Sequence, residues 1–323
     1  MHVILNRRAR DLRTETPLYR ALVRSARDAG AELYETSSFD DLERVAHTIA
    51  GGHDSGAVVL AGGDGSYMAG LSALDRAFRA RGAGLPDVAL APGGTVGTVA
   101  RNWGRRGPAV PYAERLLRDV AARTGVRTER PTLRVKDGAG SERVGFIFGT
   151  GLVAQFFDLY YASPSQGYGG AARIVARIFV SSFAGGATAR RVLTPVACTV
   201  AIDGREHPAR AYSLVVASVV ENLGLHMHVL YRATERPDRV HLVASPLGAR
   251  RLGPQMPLVL AGKRLLGKDH VDELVQYARI TFTGAFDAYV LDGDVLHAPW
   301  IELSTGPRIG VLTCAERKPA APR

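Results

Sequence analysis

The sequence predicts an α/β fold, a doubly wound parallel-sheet domain followed by a mostly antiparallel β domain. Three observations carry this. Strand and helix patterns alternate four times in the first third of the chain, the arrangement that builds a parallel sheet with helices on both faces. The run Ala57-Val58-Val59-Leu60-Ala61 is apolar throughout and ends in glycines, as a strand buried on both faces requires. After about Gly125 the pattern shifts to short strand-like runs, with Asp203-Gly204 and Asp292-Gly293 as hairpin-type turns.

Taken in order, Val3 to Asn6 reads as the first strand. Thr16 is an N-cap and Pro17 a first helical residue, opening a helix to about Ala29 that Gly30 stops. Ala31 to Glu35 is a second strand. Ser38, with Asp41 three residues on, opens a helix through Ile49. The buried strand follows, then a helix from Ser66 to about Arg79, the strand Val88 to Ala91, and Pro92-Gly93-Gly94-Thr95 before another helix. In the second part, strands are expected over Thr128–Val135, Val144–Phe148, Val196–Ile202, Tyr212–Val220, Val240–Ala244 and Tyr277–Phe282. Helices are expected over Leu152–Ala162 and Ala171–Ser182. The boundaries that follow are 1–126 for the first domain and 127–300 for the second. The strand Gly310–Thr313 rejoins the first domain through 301–315, and 316–323 is a frayed tail.

The chain has 323 residues, 46% of them apolar and 22% charged, which suits two ordinary globular cores. Its formal charge is +10. Arginines are spread along the whole chain, with no local basic cluster interleaved with aromatics, so nucleic acid is not an expected partner. Cys198 and Cys314 sit in strand-like runs without metal spacing and read as buried thiols of a reducing compartment. The first residues read as a strand rather than a signal peptide, and no apolar run approaches a membrane span. A cytoplasmic protein is expected, with any membrane contact peripheral.

The chemistry concentrates in Gly62-Gly63-Asp64-Gly65-Ser66, set between the buried strand and a helix. Glycines let backbone approach a bulky anion, and a helix start offers unpaired N–H groups. A plain glycine-rich turn with an Asp cap is the bland alternative. Asp64 repels phosphate, so its natural partner is a metal ion or a nucleotide hydroxyl. Pro92-Gly93-Gly94-Thr95 repeats the geometry one βα unit later, which places both loops on one sheet edge.

Val59 to Ser66 resembles the GGDG(T/S) motif of the diacylglycerol kinase catalytic domain, shared with sphingosine and bacterial lipid kinases. Pro92 to Gly104 is similar to that family's second nucleotide motif, ending in Val99-Ala100-Arg101-Asn102-Trp103-Gly104. Asp203-Gly204, Pro237-Asp238 and Leu291-Asp292-Gly293-Asp294 fall in order where the family carries acidic turns. The resemblance implies a Rossmann-like nucleotide domain and a β-sandwich lipid domain, with ATP and Mg²⁺ as cofactors. It implies a lipid substrate met at a membrane surface, and it admits a homodimer.

The resemblance assigns nucleotide contacts to Asn6, Gly62, Gly63, Asp64, Gly65, Ser66, Gly94 and Thr95. Catalysis falls to Asp64 and Asp294, and metal contacts to Asp64 and Asp238. Four departures accompany it. Asn6 is all that remains of an N-terminal NPxSG motif. Gly97-Thr98 replace an Asn-Asp pair. Asp294 stands where the family's general base is Glu, so its carboxyl must sit closer by roughly 1.5 Å. The Asp238-Arg239-Val240-His241-Leu242 segment lacks a second Asp. Two alternatives remain, a nucleotide-binding protein without catalysis and an NAD-kinase-like enzyme. Outside these motifs, Arg173 and Arg177 on the Ala171 helix suit either anionic lipid or a packed helix with a solvated face. His226 and His228 are expected to alternate in a strand as surface histidines.

Overall fold

The computed structural model describes residues 1–52, 56–94, 96–163, 167–183 and 186–315. They form two compact units, residues 1–130 with the chain from 308, and residues 131–307.

In the first unit β1 (His2–Asn6) lies between β2 (Glu32–Thr36) and β3 (Val58–Gly62), and β4 (Val88–Pro92) follows β3, all parallel. The C-terminal strand Ile309–Thr313 pairs with β4 in parallel, and β5 (Val126–Arg130) closes the edge antiparallel to it. The connecting helices are α1 (Pro17–Asp28), α2 (Phe39–Gly51), α3 (Asp64–Arg79), α4 (Thr98–Asn102) and α5 (Ala109–Ala121). Helix starts follow local chemistry. Thr16 Oγ1 accepts the Tyr19 N–H, and Ser38 Oγ accepts the Asp41 N–H.

Strand periodicity sorts the core. Val3, Leu5, Val59, Ala61, Ala89 and Ala91 pack with Leu22 of α1 and Leu116 of α5 on one face. Their neighbours Ile4, Leu60 and Leu90 point the opposite way and are equally buried. Gly70 of α3 lies so close to Leu60 that an added Cβ would come within 2.8 Å of it. Both faces are covered, which is why these strands read as unbroken apolar runs.

The second unit holds two antiparallel sheets. Its strands are β6 (Leu133–Asp137), β7 (Glu142–Gly145), β8 (Ile147–Gly151), β9 (Val196–Ile202), β10 (Arg205–Glu206), β11 (Ala211–Tyr212), β12 (Leu214–Ser218), β13 (Val240–Ser245), β14 (Val271–Val275), β15 (Tyr277–Phe282), β16 (Ala288–Leu291), β17 (Asp294–His297) and β18 (Trp300–Thr305). One sheet runs β14-β13-β12-β8-β16-β17. The other runs β10-β9-β15-β18-β6-β7, with β11 also on β9. The sheets meet where Tyr289 Oη of β16 donates to Asp137 of β6 at 2.6 Å. The outer face of the first sheet, through Leu214, Val216 and Val243, packs under helices that include α6 (Leu152–Ala162), α7 (Tyr168–Phe183) and α8 (Ala187–Leu193). Among the described residues, no helix is long and apolar enough to cross a membrane.

Four local expectations are corrected, among them Tyr212–Val220, which divides at Ser213 into β11 on β9 and β12 on β8. Thr128–Val135 is not one strand. Pro131 cannot donate to a ladder, and the run divides into β5 of the first unit and β6 of the second. Val144–Phe148 likewise divides, with β7 and β8 in different sheets. The His226–His228 segment is turn rather than strand, with Leu225 and His226 at φ of 51° and 57°, a left-handed conformation no strand tolerates.

Candidate functional site

The first-unit site forms where β3 and β4 end. β3 finishes at Gly62, Gly63 is the N-cap, and α3 begins at Asp64. The N–H groups of Asp64, Gly65 and Ser66 lie in the first helical turn, where no helical carbonyl reaches them. Asn6, the last residue of β1, donates from Nδ2 to Ser66 Oγ at 2.8 Å, and the same oxygen accepts the Gly63 N–H at 3.2 Å. Asn6 Oδ1 accepts the Arg8 N–H at 2.9 Å. This side chain therefore ties the end of β1 to the glycine loop.

The two glycine loops meet backbone to backbone. A Cβ on Gly94 would stand 2.5 Å from the Gly63 Cα, and one on Gly93 would stand 2.9 Å from the Gly62 Cα. A Cβ on Gly62 would strike Ser66 Oγ at 2.4 Å. Glycine is required at these positions by contact distance. Thr95 lies outside the described residues.

Asp64 turns out to be the clasp between the loops. Its two carboxylate oxygens accept the N–H groups of Thr98 at 2.8 Å and Val99 at 3.0 Å, capping α4. Gly97, at φ 61°, makes the turn into that helix. Burial raises the Asp64 carboxyl above its ordinary value, against the opposing pull of the two amides and of Arg101. Beneath it, fully buried Tyr67 donates from Oη to the Ala91 carbonyl at 2.8 Å, fixing α3 to β4.

Beside this loop lies a shallow, open hollow lined by Asn6, Arg8, Thr36, Ser37, Phe39 and Ser66 among others. Phe39 is 70% exposed at the start of α2. The hollow sits at the carboxyl ends of β1 and β3, the edge where parallel sheets bind ligands. Sequence reading did not single out Arg8, Thr36 or Phe39. Their only signal is position at or just after a strand end, or at a helix start.

In the second unit the Asp292-Gly293 turn separates two carboxylates. Asp292 is buried and accepts the N–H groups of Phe146 at 3.0 Å and Ile147 at 2.9 Å, so its role is to hold β8 to the hairpin. Asp294, at the start of β17, is exposed. Its carboxyl is nevertheless raised above the ordinary value by the protein around it, with Arg143 opposing. Tyr161 donates to the Gly293 carbonyl at 2.7 Å. Burial, with a smaller contribution from Asp294, pushes the Tyr161 hydroxyl up to about 12. Arg143 and Tyr161 are thus neighbours of Asp294 that sequence spacing does not disclose.

Asp238 lies on the surface, with its carboxylate on Arg236 at 3.1 Å through both oxygens and Arg239 at 3.9 Å. Arg236 holds its pKa below the ordinary value. Among the described residues no three His, Cys, Asp or Glu side chains gather as a metal cage. Asn6, Gly62, Gly63, Asp64, Gly65, Ser66 and Gly94 are brought together in the first unit, while Asp238 and Asp294 belong to the second.

Residues 1–126 match the family model described as the diacylglycerol kinase catalytic domain. No curated protein matches the sequence. Three solved structures from Bacillus anthracis str. Sterne share the fold. One, provisionally assigned as a diacylglycerol kinase, has a TM-score of 0.66 at 15% identity, covering 97% of this chain and 96% of its own. A second with the same provisional assignment gives 0.64 at 15%, covering 97% and 95%. The third, described as a diacylglycerol kinase, gives 0.60 at 14%, covering 97% and 96%. The fold extends over both units, and the catalytic-domain match supports a kinase.

Proposed function

We propose that the chain is a lipid kinase that transfers the γ-phosphate of ATP to a hydroxyl of a diacylglycerol- or sphingoid-like lipid. The observation that carries this is the backbone-to-backbone contact of the two glycine loops, clasped by Asp64 beside the hollow. At Gly62, Gly63, Gly93 and Gly94 a Cβ would strike Ser66, Leu12 or the facing loop, so these glycines let the loops pack together beside the free N–H groups that open α3, an arrangement that suits a phosphate chain. The N–H groups of Gly65 and Ser66 at the start of α3 would hold the phosphates, with Thr95 assigned to a second contact. The hollow bounded by Asn6, Arg8 and Phe39 would take the nucleoside.

Mg²⁺ takes one or two carboxylates plus substrate phosphates rather than a protein cage. Asp64 could take that limited role only through the one lone pair left by the Thr98 and Val99 amides and the Thr98 hydroxyl. The metal would spread the charge of the transferring phosphoryl group. Asp238 suits a metal poorly, because Arg236 and Arg239 already neutralise it.

Asp294 is the proposed base. Its carboxylate takes the proton of the acceptor hydroxyl as that oxygen bonds to the γ-phosphorus and the bond to the β-phosphate oxygen breaks, releasing ADP. A raised pKa brings a carboxylate nearer the working pH and makes it a better proton acceptor. Radiolabelled phosphate transfer from ATP to lipids in mixed micelles, with NAD as a parallel acceptor, tests the reading. A labelled lipid, absent in Asp64→Asn and Asp294→Asn, supports it. Labelled NAD with no labelled lipid would replace it with the NAD-kinase-like alternative.

A second reading rests on one observation, that Asp64 and Asp238 both have their carboxylates occupied within the protein. A nucleotide-binding protein without turnover would show ATP binding by calorimetry and no labelled product from any acceptor.

A further inference from the structure

The helical layer of the second unit carries a surface the phosphoryl-transfer reading leaves unused. No acidic residue occurs between Asp158 and Asp203, and none between Asp238 and Asp269. The first stretch holds Arg173, Arg177, Arg190 and Arg191, all exposed. The second holds Arg250, Arg251, Lys263 and Lys268, exposed as well. None of these eight has an ion-pair partner among the described residues, whereas the neighbouring Arg264 pairs with Asp272.

The two stretches form one layer. Ile178 of α7 and Leu252, Leu265 and Val259 of the second stretch pack in a single core under it. Gly253 abuts α7 so closely that a Cβ there would come 2.2 Å from Ser182. On α7 the inward residues are Ile174 and Ile178, while Arg173, Arg177, Val180 and Phe183 recur at helical spacing on the outward side. Val180 is 68% and Phe183 62% exposed, and Leu260 and Leu266 of the second stretch are 50% and 66% exposed.

We infer that this layer is a docking surface for an anionic phospholipid bilayer. Cations near such a surface are attracted by its negative potential, and exposed apolar side chains gain by entering the acyl boundary. Both are found here in one layer, whose two stretches hold no acidic residue of their own. A polynucleotide would match the arginines but leave Val180, Phe183, Leu260 and Leu266 in water. The surface stands on these observations alone, and only its use, presenting a lipid hydroxyl, rests on the kinase reading.

The test is flotation of the full chain with vesicles of phosphatidylglycerol and phosphatidylcholine against phosphatidylcholine alone, without ATP. Binding is expected only to the anionic vesicles and is expected to weaken in high salt. Arg173→Gln with Arg177→Gln should lower partitioning about 30-fold, from about 1 kcal/mol for each cation. Phe183→Ser should lower it with the salt dependence unchanged. ATP affinity, measured separately, should match the parent in both variants. Equal binding to neutral vesicles, absence of binding to either, parental partitioning by both variants, or retention of duplex DNA in place of vesicles would overturn the inference. Phosphoryl transfer to lipid is scored independently, so vesicle binding without turnover separates failure of the kinase reading from failure of this one.

Discussion

Asp64 caps α4 by accepting the Thr98 N–H at 2.8 Å, a contact between residues 34 positions apart. The carboxylate at the centre of the first glycine loop thereby fixes the position of the second. Replacing it with Asn keeps the shape but removes the charge and turns one acceptor into a donor facing an N–H. Asp64→Asn is expected to lose about 1–3 kcal/mol of stability, together with ATP affinity. Urea denaturation alongside calorimetric ATP titration measures both. Parental values for each would remove Asp64 from its clasping role.

The loop contact makes a sharper prediction at Gly94. An alanine Cβ would lie 2.5 Å from the backbone of Gly63, which no side-chain rotation relieves. Gly94→Ala is expected to separate the loops, costing about 1–3 kcal/mol and weakening ATP binding more than tenfold. Alanine at Gly84, where nothing lies within 4 Å, serves as the control. Equal ATP affinity in the two variants would show that loop contact is unnecessary for binding.

The two aspartates flanking Gly293 should behave differently. Asp292→Asn disturbs a buried acceptor of two backbone N–H groups and should destabilise by about 1–3 kcal/mol. Asp294→Asn should abolish transfer while the fold persists. Because the folded Asp294 carboxyl is raised above 3.8, its ionisation opposes folding, and the associated stability is lost as pH rises through the folded value. Relative to the parent, Asp294→Asn should therefore gain stability on going from below pH 3.8 to neutral pH. Thermal melts across that range would show the gap, and a constant difference would exclude the raised pKa.

Asp137 has the opposite sign. Burial pushes its carboxyl up, but the Tyr289 hydroxyl, the Ser141 N–H and Arg143 outweigh this and hold it below 3.8. Its contribution is present above 3.8 and lost as pH falls through the lowered folded value. Asp137→Asn should cost about 3 kcal/mol at pH 7, because it leaves Arg143 without its carboxylate. Guanidinium unfolding at pH 7 and again near pH 3 should show that cost shrinking.

The first-unit fold was readable because its central strands are covered on both faces. Val58 to Leu60 is apolar at every position, and Gly62, which ends β3, is demanded by its contact with Ser66 four residues on. β5 was misread because edge strands obey weaker rules. Its sequence Val-Arg-Thr-Glu-Arg is largely exposed, so no apolar pattern marks where it stops. At the site, the glycines declare themselves by residue type, and Asn6 only through the family resemblance. The amide partners of Asp64 and the Arg143 and Tyr161 surroundings of Asp294 depend on tertiary contacts between distant positions, which no local spacing encodes. Of the basic layer, only Arg173 and Arg177 on the Ala171 helix were legible in the sequence. The segment near 250–268 joins them only when it folds with α7 over a common core.

The placement of Ile309–Thr313 between β4 and β5 bears on how the protein is made. The sheet carrying the glycine loops lacks an interior strand until the ribosome has added the residues from 131 to 313. At about 5–20 residues per second, the interval between residues 130 and 308 lasts roughly 10 to 35 s. During it, the β4 edge is a ready template for a neighbouring nascent chain. Slowing translation late in the message should therefore lower soluble yield more than slowing it early.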